Sequence, residues 1–283
     1  VSHLGASRGD AKSTLRIRVL QTDPQLGDVT GNLERLESQI AECRDVDLVV
    51  TPELATHGYH LGDLPDSAPL SRHDARLARL GSHGPTVVVG FVEQNLHLVH
   101  NAAAVLGPET LGVQRKLYLP TYWRWEERKH FTPGTELERH DVAGVRLSVI
   151  ICNDLWQPVV PWLAVHAGAE VLVVPVNSVV SAVGSDTAKV WETILLHAAL
   201  TLQCYVVFVN RVGTESGSTF WGGSRVISPE GEVLEQLDDE PGEFTVDLDL
   251  ERLRRLRREW PLLSESRAEF VTSAAGNLAK GIS

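Results

Sequence analysis

Apolar and polar positions alternate along Leu15-Arg-Ile-Arg-Val-Leu-Gln21, the two-residue period of a strand with one buried face. The period then changes. Apolar residues at 33, 36, 40 and 43 in GNLERLESQIAEC recur three and four apart and predict an amphipathic helix. Asp47-Leu-Val-Val-Thr51 is a short unbroken apolar run, which predicts a strand covered on both faces. The windows 85–92 and 96–106 predict two neighbouring strands, with Glu93-Gln-Asn95 as the turn between them. A polar, aromatic-rich loop is expected over 113–135, followed by a buried strand over 145–151, a helix over 158–168 and a strand over 170–176. Trp191, Ile194, Leu195, Ala198 and Leu202 share one stripe of a helix predicted over 186–202. A strand at 205–209, a hairpin over 224–237 turning at Pro229-Glu-Gly231 and a strand at 244–248 follow. Leucines at 250, 253 and 256 predict a last amphipathic helix, with the five arginines between 252 and 258 as its solvated basic face.

Strands that alternate with single helices in places and come in pairs elsewhere predict a layered α/β protein with mixed sheets. No repeat, low-complexity segment or linker divides the chain, so one domain over 15–262 is expected. A flexible tail over 1–14 precedes it, and a tail over 263–283 follows that could pack at a subunit interface. With 283 residues, 43% of them hydrophobic, the chain can bury a large core. Its net charge of -11 argues against nucleic acid or anionic lipid as a partner. The apolar runs are far shorter than the roughly 20 residues of a membrane span, and the N-terminus lacks the apolar stretch of a secretory signal. A cytoplasmic protein is the expectation. Cys43, Cys152 and Cys204 have neither zinc-ligand spacing nor a disulfide framework, so no metal and no cofactor is expected.

Three chemistry-bearing residues stand where apolar runs stop: Glu53 after DLVVTP, Lys116 in GVQRKLYLP and Cys152 after VRLSVII. Ends of strands in α/β proteins hold a side chain rigidly while leaving it reachable. Each residue alone has an ordinary reading, Cys152 as a small buried apolar group and the other two as solvated loop charges. Together they form a set suited to amide cleavage. A thiol near its reference pKa of about 8.5 needs a base at neutral pH, and Glu53 can take its proton and return it to the leaving amine. The Lys116 ammonium and the backbone N–H of Asn153 can hold the charge that develops on the carbonyl oxygen. A thioester on Cys152 is then released by water that Glu53 activates.

The segments TPELATHGY, RKLYLPTYWRWEERKHFTPG, VIICNDLWQP and NRVGTESGSTFWGGSRVISPEGEVL resemble the nitrilase, or carbon-nitrogen hydrolase, superfamily, whose catalytic Glu, Lys and Cys come in this order. The resemblance spans about 15–262. QTDPQLGDVTGNLERL and CNDLWQP are most similar to the glutaminase domain of NAD synthetases and to stand-alone amidases. A synthetase domain would take a few hundred residues beyond those present, so a separate hydrolase is expected. The resemblance implies a four-layer α-β-β-α sandwich, a homodimer or larger homo-oligomer, and a second glutamate, Glu127, beside the lysine. It also implies an amidase acting on a small carboxamide or N-carbamoyl compound. The alternatives are a glutaminase that supplies ammonia to a separate synthetase and a non-catalytic binding protein that keeps the fold. Asn153 stands where the synthetase glutaminase domains carry glutamate, which leaves glutamine specificity open.

Substrate contacts are expected from Tyr122, Asn153, Trp156, Asn177 and Ser178, with Trp123 and Trp125 as further aromatic candidates for the pocket wall. Asp154 is expected to cap the turn after Cys152. A Cys-His pairing with His130, His166 or His197 remains possible on composition, without a local motif to support it.

Overall fold

The structure, a computed structural model, describes residues 12–60, 69–108, 110–122, 125–180 and 186–281. Two six-stranded sheets form its centre. In chain order, the first is built from β1 (Thr14–Gln21), β2 (Leu48–Val50), β3 (Thr86–Asn95), β4 (Leu98–Leu106) and β5 (Leu111–Arg115). The second takes β6 (His140–Val142), β7 (Val145–Val149), β8 (Val171–Val176) and β9 (Tyr205–Asn210). A separate hairpin, β10 (Val212–Glu215) with β11 (Ser218–Trp221), precedes β12 (Arg225–Ile227) and β13 (Val233–Gln236), which complete the second sheet. β14 (Gly242–Asp249) returns to the first sheet, antiparallel to β1. The orders are β14-β1-β2-β3-β4-β5 and β13-β12-β9-β8-β7-β6. Each sheet has a parallel centre, β1-β2-β3 in one and β7-β8-β9 in the other, with antiparallel strands outside it.

Pleating explains why the central strands are apolar throughout. Leu48 and Val50 of β2 face the other sheet, packing in one core with Val149, Val173 and Val207. Val49 points the opposite way, against α1 (Val29–Ala41) and α2 (Ala75–Leu80), where Leu33, Leu36, Leu77 and Leu80 meet it. On the far side, Leu172, Val174 and Phe208 pack against α4 (Val159–His166) and α5 (Thr187–Leu202) through Val160, Ala164, Trp191 and Leu195. Three parallel cores thus separate four layers, helix, sheet, sheet and helix, as the resemblance implied. Aspartates set the helix starts: Asp28 accepts from the Gly31 N–H at 3.0 Å and Asp186 from Lys189 at 3.2 Å.

Several local expectations change. β3 continues through Glu93-Gln-Asn95, and the turn falls on Leu96-His97, with Asn95 paired to Leu98. Glu93 breaks the apolar pattern because it is fully buried between two guanidiniums, Arg115 Nε at 2.6 Å and Arg72 Nε at 3.1 Å. The segment assigned to loop from 113 begins as the edge strand β5, so Lys116 does follow a strand. The arginine-rich helix α6 (Leu250–Glu259) forms, but its basic face is largely engaged. Arg252 pairs with Glu230 and Glu232, Arg254 with Glu170, and Arg257 donates to the carbonyls of Gln203 and Ala169. The expected tail over 263–283 holds α7 (Ala268–Ala279), none of whose residues is buried. The expected flexible tail over 1–14 lies mostly outside the described residues; Lys12 ion-pairs with Asp47, and β1 begins at Thr14. Among the described residues no helix is long and apolar enough to cross a membrane.

Candidate active site

Parallel strands put their carboxyl ends on one edge, where side chains from successive loops can meet. Glu53 comes three residues after β2, Lys116 directly after β5, Cys152 three residues after β7, and Asn177 directly after β8. The Glu53 loop lies flat on β3. Thr51 and Thr56 donate their backbone N–H groups to Val88 and Gly90 at 3.0 and 3.2 Å. Gly90 permits this approach, since a Cβ there would stand 2.3 Å from the Leu54 nitrogen and 2.4 Å from the Pro52 oxygen. Leu54 and Cys152 hold left-handed backbone at φ 49° and 47°, a costly conformation for residues with a side chain. At Cys152 it turns the chain sharply from the strand into a short 3-10 turn over Cys152–Trp156.

Lys116 is the hub. Its Nζ donates to Glu53 Oε1 and to Glu127 Oε1, each at 2.7 Å, and all three side chains are buried. Glu127 opens the short helix α3 (Glu127–His130), and its Oε1 also accepts from the Tyr59 hydroxyl at 2.7 Å. Asn101 Nδ2 donates to Glu53 Oε1 at 2.7 Å. Burial would discharge Lys116, but the Glu127 and Glu53 carboxylates outweigh it and hold the ammonium well above the usual lysine range. Burial pushes Glu127 up, helped by the charge of Glu53 and opposed by Lys116 and Tyr59. Two carboxylates therefore share one cation, and the second oxygen of each, Glu53 Oε2 and Glu127 Oε2, has no hydrogen-bond partner among the described residues.

Cys152 belongs to the same constellation. Burial pushes its thiol well above the ordinary range, Glu53 and Glu127 add to this, and Lys116 and the Asn177 backbone N–H oppose it. The resting sulfur is a protonated thiol, which makes a neighbouring base chemically necessary for its use as a nucleophile. No histidine is among the strongest influences on it among the described residues, and His166 is stacked on Trp162, with Nδ1 2.8 Å from the Trp162 carbonyl. The Cys-His arrangement thus has no geometric support at His166, while His130 and His197 lie on α3 and α5.

The remaining expected residues separate. Tyr122 and Trp156 are exposed, the latter edge-on to Trp191 at 5.6 Å between ring centroids. Asn153 spends its amide on a loop contact, Nδ2 donating to the Tyr118 carbonyl at 3.0 Å and Oδ1 accepting from the Tyr122 hydroxyl at 3.3 Å. Its backbone N–H lies in the first turn of a helix, where no intrahelical acceptor exists. Asn177 and Ser178 are buried, and Ser178 Oγ accepts from the indoles of Trp191 and Trp221 at 3.0 and 2.9 Å. Trp125 packs edge-on against Tyr59 at 5.4 Å, whereas Trp123 lies outside the described residues. Asp154 does not cap its own turn; its carboxylate accepts from the backbone N–H groups of Leu117 and Tyr118, at 3.0 and 2.7 Å, and ties the Lys116 loop to the Cys152 loop. Burial pushes its carboxyl up to about 7 against those donors.

Sequence reasoning missed Tyr59, Asn101 and a buried ion-pair network. Arg211, stacked on Phe220 at 4.1 Å, donates to Glu215 at 2.8 Å and Asp23 at 3.0 Å. Glu215 Oε1 in turn accepts from the backbone N–H groups of Tyr59 and His60 at 2.9 and 2.7 Å, which fixes the loop that aims Tyr59 at Glu127. The available signal was a polar residue inside an apolar strand run, as at Asn101 before Ala102-Ala-Ala-Val-Leu106.

Residues 16–258 match the carbon-nitrogen hydrolase family. The chain is 33% identical over 283 aligned positions to the glutamine-dependent NAD(+) synthetase of Thermotoga maritima, covering 93% of this chain and 48% of that protein. It thus spans about half the length of the synthetase it matches. It is 30% identical to an (R)-stereoselective amidase of Pseudomonas sp, covering 89% of this chain and 92% of that one. Among solved structures, a carbon-nitrogen hydrolase from Helicobacter pylori superposes with a TM-score of 0.82 at 26% identity, covering 93% and 98% of the two chains. A mutant of a Nesterenkonia amidase from the nitrilase superfamily gives 0.73 at 25% identity, covering 90% and 100%.

Proposed function

The chain belongs to the carbon-nitrogen hydrolase family, and on that premise we propose that it is an amidase that cleaves a small carboxamide or N-carbamoyl substrate through a thioester on Cys152. The observation that carries this reading is the buried Lys116 ammonium held 2.7 Å from both Glu53 and Glu127, beside a protonated thiol. Glu53 takes the thiol proton as the sulfur bonds to the substrate carbonyl carbon. Lys116 and the Asn153 backbone N–H stabilise the oxyanion. The C–N bond breaks, and Glu53 passes the proton to the departing nitrogen, releasing ammonia or an amine. Water then attacks the thioester, Glu53 accepts its proton, the acid leaves and the thiol is restored. Glu127, anchored by Tyr59, holds the lysine in place against the changing charge of Glu53.

Intact-mass measurement after incubation with amides tests this: an acyl adduct on Cys152 supports it, and full ammonia release by Cys152→Ala refutes it. The 33% identity to a glutamine-dependent synthetase supports a second reading, a glutaminase that supplies ammonia elsewhere. Ammonia release compared across glutamine, carbamoyl amino acids, aliphatic amides and nitriles separates the two. We further propose a homodimer or larger assembly, supported by the exposed Val159, Leu163, Leu196 and Leu200 on the adjoining outer helices α4 and α5. A monomer in light scattering at micromolar concentration would refute it.

A further inference from the structure

A primary amide side chain offers two N–H donors and a carbonyl acceptor, and a buried one normally finds partners for them. Asn210 does: Nδ2 donates to the carbonyls of Ser178 and Gly222, and Oδ1 accepts from the Ser178 N–H. Asn177 does not. It is 3% exposed, and neither Nδ2 nor Oδ1 has a hydrogen-bond partner among the described residues.

Its position is nevertheless held firmly. The Ser178 backbone is bonded to Asn210 on both its N–H and its carbonyl, at 2.8 and 3.3 Å, and the Ser178 hydroxyl is clamped by two indoles. The amide therefore cannot swing outward with its loop to reach water. On the other side, the Asn177 backbone N–H faces the Cys152 thiol. An unmatched, fixed amide thus stands within one side-chain length of the sulfur that would carry the acyl group. Its reach covers the first atoms beyond the substrate carbonyl and not the distant end of a long chain. A hydroxyl group there can both donate to Oδ1 and accept from Nδ2, whereas a methyl group would leave the amide unmatched.

We propose that Asn177 selects acyl groups bearing a hydroxyl substituent on the first or second carbon beyond the scissile carbonyl. The inference rests on the amidase reading above and names the substrate class of that site. Two isosteric pairs test it: lactamide against isobutyramide, and 3-hydroxypropionamide against butyramide. Protection of Cys152 from iodoacetamide, read by mass spectrometry, measures binding, and ammonia release measures turnover. In at least one pair the hydroxylated amide should protect at a concentration about tenfold lower or less. Asn177→Leu should abolish that difference with an unchanged or higher Tm, since the leucine sacrifices no hydrogen bond. Equal protection within both pairs, no protection by any of the four, or a preference that survives in Asn177→Leu overturns the proposal. Selective protection without ammonia release upholds it and sinks the amidase reading; ammonia release without selectivity does the reverse.

Discussion

Gly90→Ala probes how closely the Glu53 loop must lie on its sheet. The added Cβ would sit 2.3 Å from the Leu54 nitrogen, 2.4 Å from the Pro52 oxygen and 2.7 Å from the Glu53 carbonyl carbon. All three are backbone atoms, so no side chain can rotate away. Ordinary contact lies near 3.5 Å, and relief requires the loop to lift by about 1 Å. The carboxylate that pairs with Lys116 moves with it. Overpacking of this kind costs about 1–3 kcal/mol, and a displacement of about 1 Å at reacting groups costs on the order of a hundredfold in rate. The assay is kcat/KM for ammonia release from the best amide, paired with urea denaturation. Gly276→Ala in α7 is the control, because a Cβ there meets nothing within 4 Å and the helix gains propensity. A Gly90→Ala variant with wild-type kcat/KM and stability would refute the claim that this contact positions Glu53.

Lys116→Met leaves the Glu53 and Glu127 carboxylates buried without their shared cation; we expect a loss of about 3–5 kcal/mol, larger at pH 8 than at pH 5, and a rate drop of a hundredfold or more. Equal stability of variant and wild type at pH 8 in urea would contradict this. Asp154, raised to about 7 in the folded chain, binds more protons there than in the unfolded chain between about pH 4 and 7, so its contribution is fully present below pH 4 and lost as pH rises through 7, roughly 4 kcal/mol in all. Asp154→Asn keeps an acceptor for Leu117 and Tyr118, so its stability relative to wild type should climb over that interval; a flat difference would show the charge is not desolvated. Glu215→Ala strips Arg211 of a buried partner and the Tyr59 and His60 N–H groups of their acceptor, which should cost about 3–5 kcal/mol; a Tm within a degree of wild type would rule out the network as a structural anchor.

Much of this protein was legible along the chain. The unbroken run in β2 and the neighbouring apolar strands are what a sheet buried on both faces demands, and a polar residue directly after such a run marks where the chain leaves the core. That local logic pointed to the strand ends that carry Glu53, Lys116 and Cys152, and the leucines at 250, 253 and 256 were enough to predict α6. It went astray wherever a polar residue was itself buried. Glu93 read as a turn because nothing nearby in sequence reveals Arg72 and Arg115, and the arginines of α6 read as solvated because Glu170 and Glu230 lie far along the chain. Asp154 read as a local cap although its donors lie 36 and 37 positions away. The site depends on the same long separations, 63 positions between Glu53 and Lys116 and 156 between Tyr59 and Glu215. Hydrophobic periodicity is a property of neighbours and survives in one dimension. The pairing of a buried charge depends on which strand ends meet, and only the packed sheets decide that, because in water each of these charges would be equally content alone.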